Sequence, residues 1–404
     1  MFEKKAAWHG VPMMFLAGAL TLAPRVSRAE EAAAAPAAKT AVEKAVESAK
    51  ISGFAVPWLR LGEAPADNKD ARAAFRLRYA RVNIDSNLAK DIAAKVVVSL
   101  EDPKNPLFDM QLAWKKYDAA NIIVGQFRPA FGELVPSPSA DLVMMDRPDY
   151  MSKMDKKRLR DMGIVLGTGK AGLYNGLVNY WVGVMNGNGV ANVGSNDIDK
   201  EGSYRDLLYV GRVMLNPGKA FAGKKFDVRI GASAMRTTSP ALEGKDEAAV
   251  QDLAKDFLGT TYTFKATQVN PTKWTAPRRQ TQLTGAEFMF KAYGLYLQSE
   301  YWMLHSEPRH GATDANKKDA VAWHADIAYT IAPVNTQIAY RLESFDPNPD
   351  AEDDEIVSSS IGVNYFVNDN IALSLFGTST DDHAGTDGVD KPNNHFDARM
   401  VVKF

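Results

Sequence analysis

From Ile51 to Phe404 apolar and polar side chains alternate with a period of two, in runs of about ten residues. In the last run Phe396, Ala398, Met400, Val402 and Phe404 share one face, while Asp397, Arg399, Val401 and Lys403 share the other. Likewise Val321, Trp323, Ala325, Ile327 and Tyr329 oppose His324 and Asp326, and Phe108, Met110, Leu112 and Trp114 oppose Asp109, Gln111 and Lys115. A soluble β-sandwich also alternates. Runs of this length, with aromatic residues near their ends and charges on the second face, instead match strands that cross a bilayer, which takes about 9–11 tilted residues. No run beyond the N-terminus approaches about 18 uninterrupted apolar residues. A membrane-spanning fold must then be a closed barrel, whose strands satisfy one another's backbone groups.

The alternation predicts an all-β fold of sixteen antiparallel strands, centred on 51–61, 73–84, 91–101, 107–117, 120–128, 160–169, 173–186, 204–216, 225–236, 281–291, 294–304, 320–331, 334–344, 356–366, 370–379 and 395–404. One set of connections is short: 85–90, 118–119, 170–172, 217–224, 292–293, 332–333 and 367–369. The other is long, apart from 102–106: 62–72, 129–159, 187–203, 237–280, 305–319, 345–355 and 380–394. Short periplasmic turns on one rim and long external loops on the other characterise transmembrane β-barrels of outer membranes. A seventeenth strand-like run, Leu258 to Gln268, would invert that rhythm downstream, so it is assigned to the loop 237–280, as an extra hairpin arm.

The stretch from Gly125 to Gly163 stands apart. A short alternating run leads into a segment of about thirty residues with four prolines, a length that is uncommon between strands unless the loop has a function. It ends in a cationic cluster of Lys153, Lys156, Lys157, Arg158 and Arg160. The expectation is that this loop folds into the lumen and sets what passes. About sixteen strands enclose a water-filled channel rather than a packed core, so the polar face lines water.

The remaining composition excludes more than it assigns. With no cysteine there is no disulfide framework and no thiolate metal site, and the formal net charge of −1 gives no reason to expect nucleic acid as a partner. Residues 1–29 read as a secretory signal: Lys4 and Lys5, an apolar run from Val11 to Ala23, and small residues at Ser27 and Ala29 before the cleavage point. Residues 30–50 are rich in Ala, Glu and Lys and read as a periplasmic tether, leaving 51–404 as the barrel domain. Gly167, Gly169 and Gly172 match a GxGxxG pattern, but they join two strands through a tight turn and open no helix, so no phosphate cradle is expected. The acid-rich loops 346–355 and 381–390 lack EF-hand spacing, and the histidines show no metal-ligand spacing and no nucleophile partner. No cofactor and no catalytic residue are expected.

The stretches FRLRYARVNI (75–84), IIVGQFRPAFG (122–132), RDMGIVLG (160–167), VMNGNG (184–189), GRVMLNP (211–217), YRLESFDPNP (340–349) and IGVNYFVNDNIAL (361–373), closed by Phe404, resemble the phosphate-selective porin family, porins O and P, of Gram-negative outer membranes. The resemblance runs across essentially the whole sequence after the leader. It implies a sixteen-stranded, trimeric, anion-preferring diffusion channel in contact with outer-membrane lipid and lipopolysaccharide, open to phosphate or similar small anions. It also implies constriction by the loop after GQFRPAFG and by a second inward loop at 237–280, and makes Phe404 the signal read by the barrel-assembly machinery.

An anion pore needs fixed cations where it is narrow, and arginine suits oxyanions through its planar fork of donors. By parity Arg76, Arg78, Arg128, Arg212 and Arg229 face the lumen, while Arg81 breaks the parity and belongs at a bulge or near the periplasmic rim. The loops add Lys153, Lys156, Arg158 and Arg160, then Lys273, Arg278 and Arg279. Inward acids, among them Glu101, Asp109, Asp227, Glu287, Glu300, Asp326, Glu343 and Asp397, are nearly as numerous, so each wall arginine is open to a second reading as a partner that stiffens the wall. A barrel plugged by its own loops, acting as a structural or adhesive protein, and an outer-membrane hydrolase are the alternatives, the latter without a Ser/His/acid set to support it.

Overall fold

The computed structural model describes residues 43, 47–62, 72–103, 106–155, 160–169, 171–187, 207–220, 226–238, 242–244, 267–270, 273–276, 279–308, 317–352, 354–382 and 394–404. The predicted signal 1–29 and most of the tether 30–50 lie outside them, as do Lys156, Lys157, Arg158 and Arg278.

In chain order the strands are β1 (Lys50–Gly62), β2 (Arg72–Ala89), β3 (Ile92–Ser99), β4 (Leu107–Tyr117), β5 (Ala120–Phe127), β6 (Asp161–Gly167), β7 (Val178–Met185), β8 (Leu208–Leu215), β9 (Phe226–Thr238), β10 (Leu242–Gly244), β11 (Thr267–Asn270), β12 (Lys273–Ala276), β13 (Arg279–Ala292), β14 (Leu295–Pro308), β15 (Lys318–Ile331), β16 (Thr336–Asp346), β17 (Ile356–Phe366), β18 (Ile371–Asp382) and β19 (His395–Lys403). Sixteen of them close into one antiparallel barrel in which each strand pairs with its sequence neighbour, β9 with β13, and β1 with β19. The other three, β10, β12 and β11, form a small separate sheet between β9 and β13, and residues 258–266 of the strand-like run lie outside the described residues.

The outer face is apolar along its circumference: Ile51, Phe75, Ile361, Leu375 and Phe396 are 60% to 85% exposed. A continuous band of that kind has no place in water and is what a lipid-facing barrel wall requires. Closure is made by the chain ends. Gly53 N–H donates to Phe404 O at 2.9 Å and Phe404 N–H to Gly53 O at 3.0 Å, across the β1–β19 seam. The Phe404 ring lies over Gly53, where any Cβ would collide with it.

The described barrel has four irregularities of register, two of them near strand ends at Asn87/Ala89 and Trp114/Tyr117, and the other two turn a side chain inward. Opposite Val56 and Pro57 the register on β2 jumps from Tyr79 to Leu77, leaving Arg78 as an extra residue. Proline has no N–H for the ladder, and inside a sheet it is confined to edges and bulges. Beyond the bulge the parity is reversed. Tyr79, which plain alternation with Phe75 and Leu77 would turn to the lipid face, points inward and donates to Asp146 Oδ1 at 2.8 Å, and Arg81 follows it inward. The second bulge is in β4, where Val97 faces Asp109 and Val98 faces Leu107. Phe108 is squeezed out of the pairing and leaves the lipid face on which its sequence neighbours Met110 and Leu112 remain. Gln126 Nε2 donates to the Leu107 and Phe108 carbonyls and so satisfies the backbone that the bulge frees.

Several boundaries also differ from the alternation: β2 runs on to Ala89 through most of the expected turn 85–90, and β14 to Pro308. The run 173–186 begins as a strand only at Val178, because Tyr174 and Asn175 take left-handed conformations in a turn. Arg279 opens β13 and is not a loop residue: it is buried in the wall, with its Nε donating to Ser306 Oγ and Nη2 to Ser306 O.

Candidate pore constriction

The hydrophobic core of this molecule is the loop between β5 and β6 packed against the inside of the barrel. Phe131, Leu134, Val135, Tyr150, Met151 and Met154 are buried against Trp302, Leu283, Ala322 and Phe345 of the wall. A second patch joins Met144 and Met145 to Trp58, Ala328, Ala339 and Phe376. Burying each large apolar side chain contributes roughly 1.5–3 kcal/mol, so the loop is held as firmly as an ordinary core element.

Polar pins fix its path. Gly132 N–H donates to Ser233 Oγ in β9, and the N–H groups of Glu133 and Leu134 converge on Glu300 Oε1 in β14 at 3.1 and 2.8 Å. Gly132 has a φ of +61°, and a Cβ there would run into Glu300 Oε2, so glycine is required on both counts. Further on, Arg399 of β19 donates to the Leu142 and Met145 carbonyls, Asn364 of β17 to Val143 O, and Arg341 of β16 to Asp146 O. A short helix, α1 (Asp149–Asp155), then carries Tyr150 to His324 of β15, with Tyr150 Oη and His324 Nδ1 2.9 Å apart. The loop therefore touches strands on both sides of the seam before it returns to β6, as the expectation of an inward loop required.

The cations sort into three groups. Arg212, Arg229 and Arg78 are paired: Arg212 with Glu133 and Glu287, Arg229 with Asp227 and Glu133, and Arg78 with Asp146. Of their partners, Glu133 and Asp146 are supplied by the loop itself. Arg76 has no ion pair among the described residues and stacks on Trp58, its guanidinium carbon 4.8 Å from the ring centre. Lys153 lies on α1 over the Phe345 ring at 5.4 Å, and Lys273 is on β12 of the small sheet.

The third group forms the centre of the site. Arg128 and Arg160 line a cavity of about 600 Å³ between the loop and the wall of β1 to β8, together with Arg81, Lys95, Arg212 and Lys403, against only Asp109 and Asp141 among acidic side chains. Arg160 pairs with Asp109 at 2.7 Å and Arg81 with Glu101 at 2.9 Å. Arg128 has no carboxylate partner among the described residues and donates to the Val135 and Ser137 carbonyls. Arg147 likewise donates to the Leu134 and Ser137 carbonyls and to Ser139 Oγ. Burial, then the charges of Arg147, Arg160 and Arg81, hold the Arg128 guanidinium well below its ordinary value. Burial, reinforced by Arg81 against the pull of Asp109, lowers Arg160 to about 10. Four guanidinium groups thus share one region with the carboxylates of Glu101, Asp109 and Asp141.

Alternation missed three members of this group. Arg81 and Phe108 are turned inward by bulges, and the signals for the first were Pro57 within a strand and the parity break at Arg81 itself. Arg147 sits in an irregular loop, where no periodicity assigns a direction. Among the described residues no group of three or more His, Cys, Asp or Glu side chains could hold a metal ion.

A closed sixteen-stranded barrel with an apolar belt and a long loop folded across its lumen defines an outer-membrane channel. The profile of the phosphate-selective porins O and P matches residues 59–404, and the chain belongs to that family. No curated protein matches it in sequence. Among solved structures it is similar to the anion-selective porin from Comamonas acidovorans, with a TM-score of 0.56 and 9% identity over 88% of this chain and 99% of that one. It is similar also to OprB of Pseudomonas putida, with a TM-score of 0.56 and 9% identity over 90% and 95% of the two chains. A loop-deletion form of OmpT from Vibrio cholerae gives a TM-score of 0.55 and 12% identity over 88% and 99%.

Proposed function

We propose that the protein is a passive diffusion channel that prefers small anions, phosphate or similar oxyanions among them, and that it assembles as a homotrimer in the outer membrane of a Gram-negative bacterium. The observation that supports the preference is the convergence of Arg81, Arg128, Arg147 and Arg160 beside the loop, two of them without a carboxylate partner among the described residues. Low-dielectric walls strengthen such fixed charges and raise the local concentration of counter-ions. The similarity to a porin described as anion-selective agrees with this reading. On the same reading residues 1–29 are removed on export, which the intact mass of the purified protein tests.

The decisive measurement is the reversal potential of single channels in a potassium chloride gradient. The expected sign is that of chloride permeation, and a cation-selective potential rejects the proposal. A loop-plugged structural barrel is the second reading, favoured by the many pins that tie the loop to the wall. An absence of conductance steps in bilayers containing correctly assembled protein would decide for it.

A further inference from the structure

Arg81 and Arg160 each meet a carboxylate with a single nitrogen. Two other wall arginines use a fork: Arg341 grips Asp326 through Nε and Nη2 at 2.6 and 2.7 Å, and Arg60 grips Asp397 through the same pair of atoms at 2.8 Å each. That fork is the favoured geometry for a guanidinium and a carboxylate. Arg81 reaches Glu101 Oε1, whose partner oxygen Oε2 is taken by the Ala80 N–H at 3.0 Å, and Arg160 reaches Asp109 Oδ1, each through Nε alone. Among the described residues no acceptor takes the terminal nitrogens of either.

What the two share is Phe108. The guanidinium carbon of Arg160 lies 3.5 Å from the centre of that ring and the carbon of Arg81 lies 4.1 Å from it. A guanidinium laid on an aromatic face has its plane set by the ring. The ring thus favours the orientation in which Nε, rather than the Nε/Nη2 fork, meets the carboxylate beside Arg160. The ring is there because the bulge in β4 expels Phe108 from the pairing, and Gln126 holds that bulge open.

We infer that Phe108 is a specificity-determining positioning residue: it keeps Arg160 half-paired, so that its terminal N–H groups are offered, beside Arg81, to an oxyanion in the cavity. Without the ring Arg160 turns into a two-nitrogen pair with Asp109, whose Oδ2 takes no donor among the described residues, and the site loses donors without losing a single charge. The ligand class is an anion with two acceptor oxygens on one centre, a carboxylate or a phosphate, which suits the terminal N–H pair of a guanidinium.

The inference rests on the anion-preferring reading of the channel, and one set of bilayer measurements separates the two. Wild type, Phe108→Leu, Phe108→Tyr, Asp109→Asn and the double variant Phe108→Leu/Asp109→Asn are compared at equal yield of heat-modifiable barrel. The readouts are reversal potential and inhibition of chloride current by inorganic phosphate. A wild type without anion preference overturns the underlying reading, and this inference with it. Given an anion-selective wild type, Phe108→Leu is expected to lower the chloride-to-potassium permeability ratio about threefold and to weaken phosphate inhibition by a similar factor, the scale of one lost cation–π contact. Phe108→Tyr keeps the ring and is expected to retain the wild-type ratio. Asp109→Asn takes away the carboxylate that captures Arg160 and by its charge alone raises the ratio, so the deciding quantity is the cost of Phe108→Leu in that background: most of the roughly threefold cost is expected to vanish there, whereas a merely structural role for Phe108 keeps it. The inference is overturned if Phe108→Leu keeps the wild-type ratio, or if it costs as much with Asp109→Asn as without it.

Discussion

Pro57 stands at the point where β2 carries one residue too many, and that residue is Arg78. The missing N–H and the extra residue belong to one irregularity, and from it downstream the inner face of β2 is rewritten: Arg76 before it and Tyr79, Arg81 and Asn83 after it all reach the lumen side.

Deleting Arg78 should therefore be far worse than truncating it. The deletion returns the strand to plain alternation and drives either Arg81 into lipid or Phe75 into the lumen, because a one-residue slip exchanges the two faces. We expect about a tenfold loss of outer-membrane barrel for the deletion and less than about twofold for Arg78→Ala, scored by heat-modifiable mobility. Equal yields would show that the bulge does not set the parity.

Gly132 and Glu300 form the latch at the head of the loop. Gly132→Ala places a Cβ against Glu300 Oε2 and strains a left-handed backbone, a penalty of about 1–2 kcal/mol for the conformation alone. Glu300→Ala instead strands the N–H groups of Glu133 and Leu134 together with Trp302 Nε1, at about 1–3 kcal/mol for each buried donor left unmade. Both variants should give larger and noisier conductance steps in bilayers. Unchanged steps in both would mean that this end of the loop does not narrow the pore.

The cations of the 153–160 cluster should not contribute equally. Arg160 faces the cavity, whereas Lys153 lies over Phe345. Two unit charges about 6 Å apart interact by roughly 3 kcal/mol at an effective dielectric near 20. Salt at about 0.15 M screens much of this, and a residue of ~1 kcal/mol is about fivefold in permeability. Arg160→Gln alone should then reproduce most of the reversal-potential shift of the quadruple neutralisation of Lys153, Lys156, Arg158 and Arg160. If Lys153→Gln shifts it as much, the field does not originate at the cavity.

Gly53→Val and Phe404→Ser should resemble each other. The first displaces the ring and the second removes it, and both disturb the seam where β1 and β19 close. Lower assembly with normal single-channel selectivity is expected for each. A Gly53→Val protein that assembles at the wild-type level would show that the ring does not need that seat.

The wall was legible because a two-residue period is imposed on every strand by lipid on one side and water on the other. The count of sixteen survived the strand-like composition of 258–268 because loop lengths carry their own alternation. What stayed hidden were the places where local backbone chemistry overrides the period. Phe108 reads as one more lipid-facing aromatic, and nothing in LFDMQLAW marks the bulge. Arg212 and Arg229 were correctly directed inward, but their partner Glu133 comes from a loop whose course no periodicity encodes. Arg279 appeared loop-like because its strand starts two residues earlier than its apolar pattern does.

The loop is tied to the wall largely through its main chain: the carbonyls of Leu142, Val143, Met145 and Asp146 and the amides of Glu133, Leu134 and Asp149 take the pins from Arg399, Asn364, Arg341, Glu300 and Glu343. Main-chain atoms are common to nearly every amino acid, so these moorings are indifferent to most substitutions in the loop. A lineage carrying this barrel can exchange the loop's pore-facing side chains one at a time and explore new solutes, while the same wall residues go on holding each successive version in place.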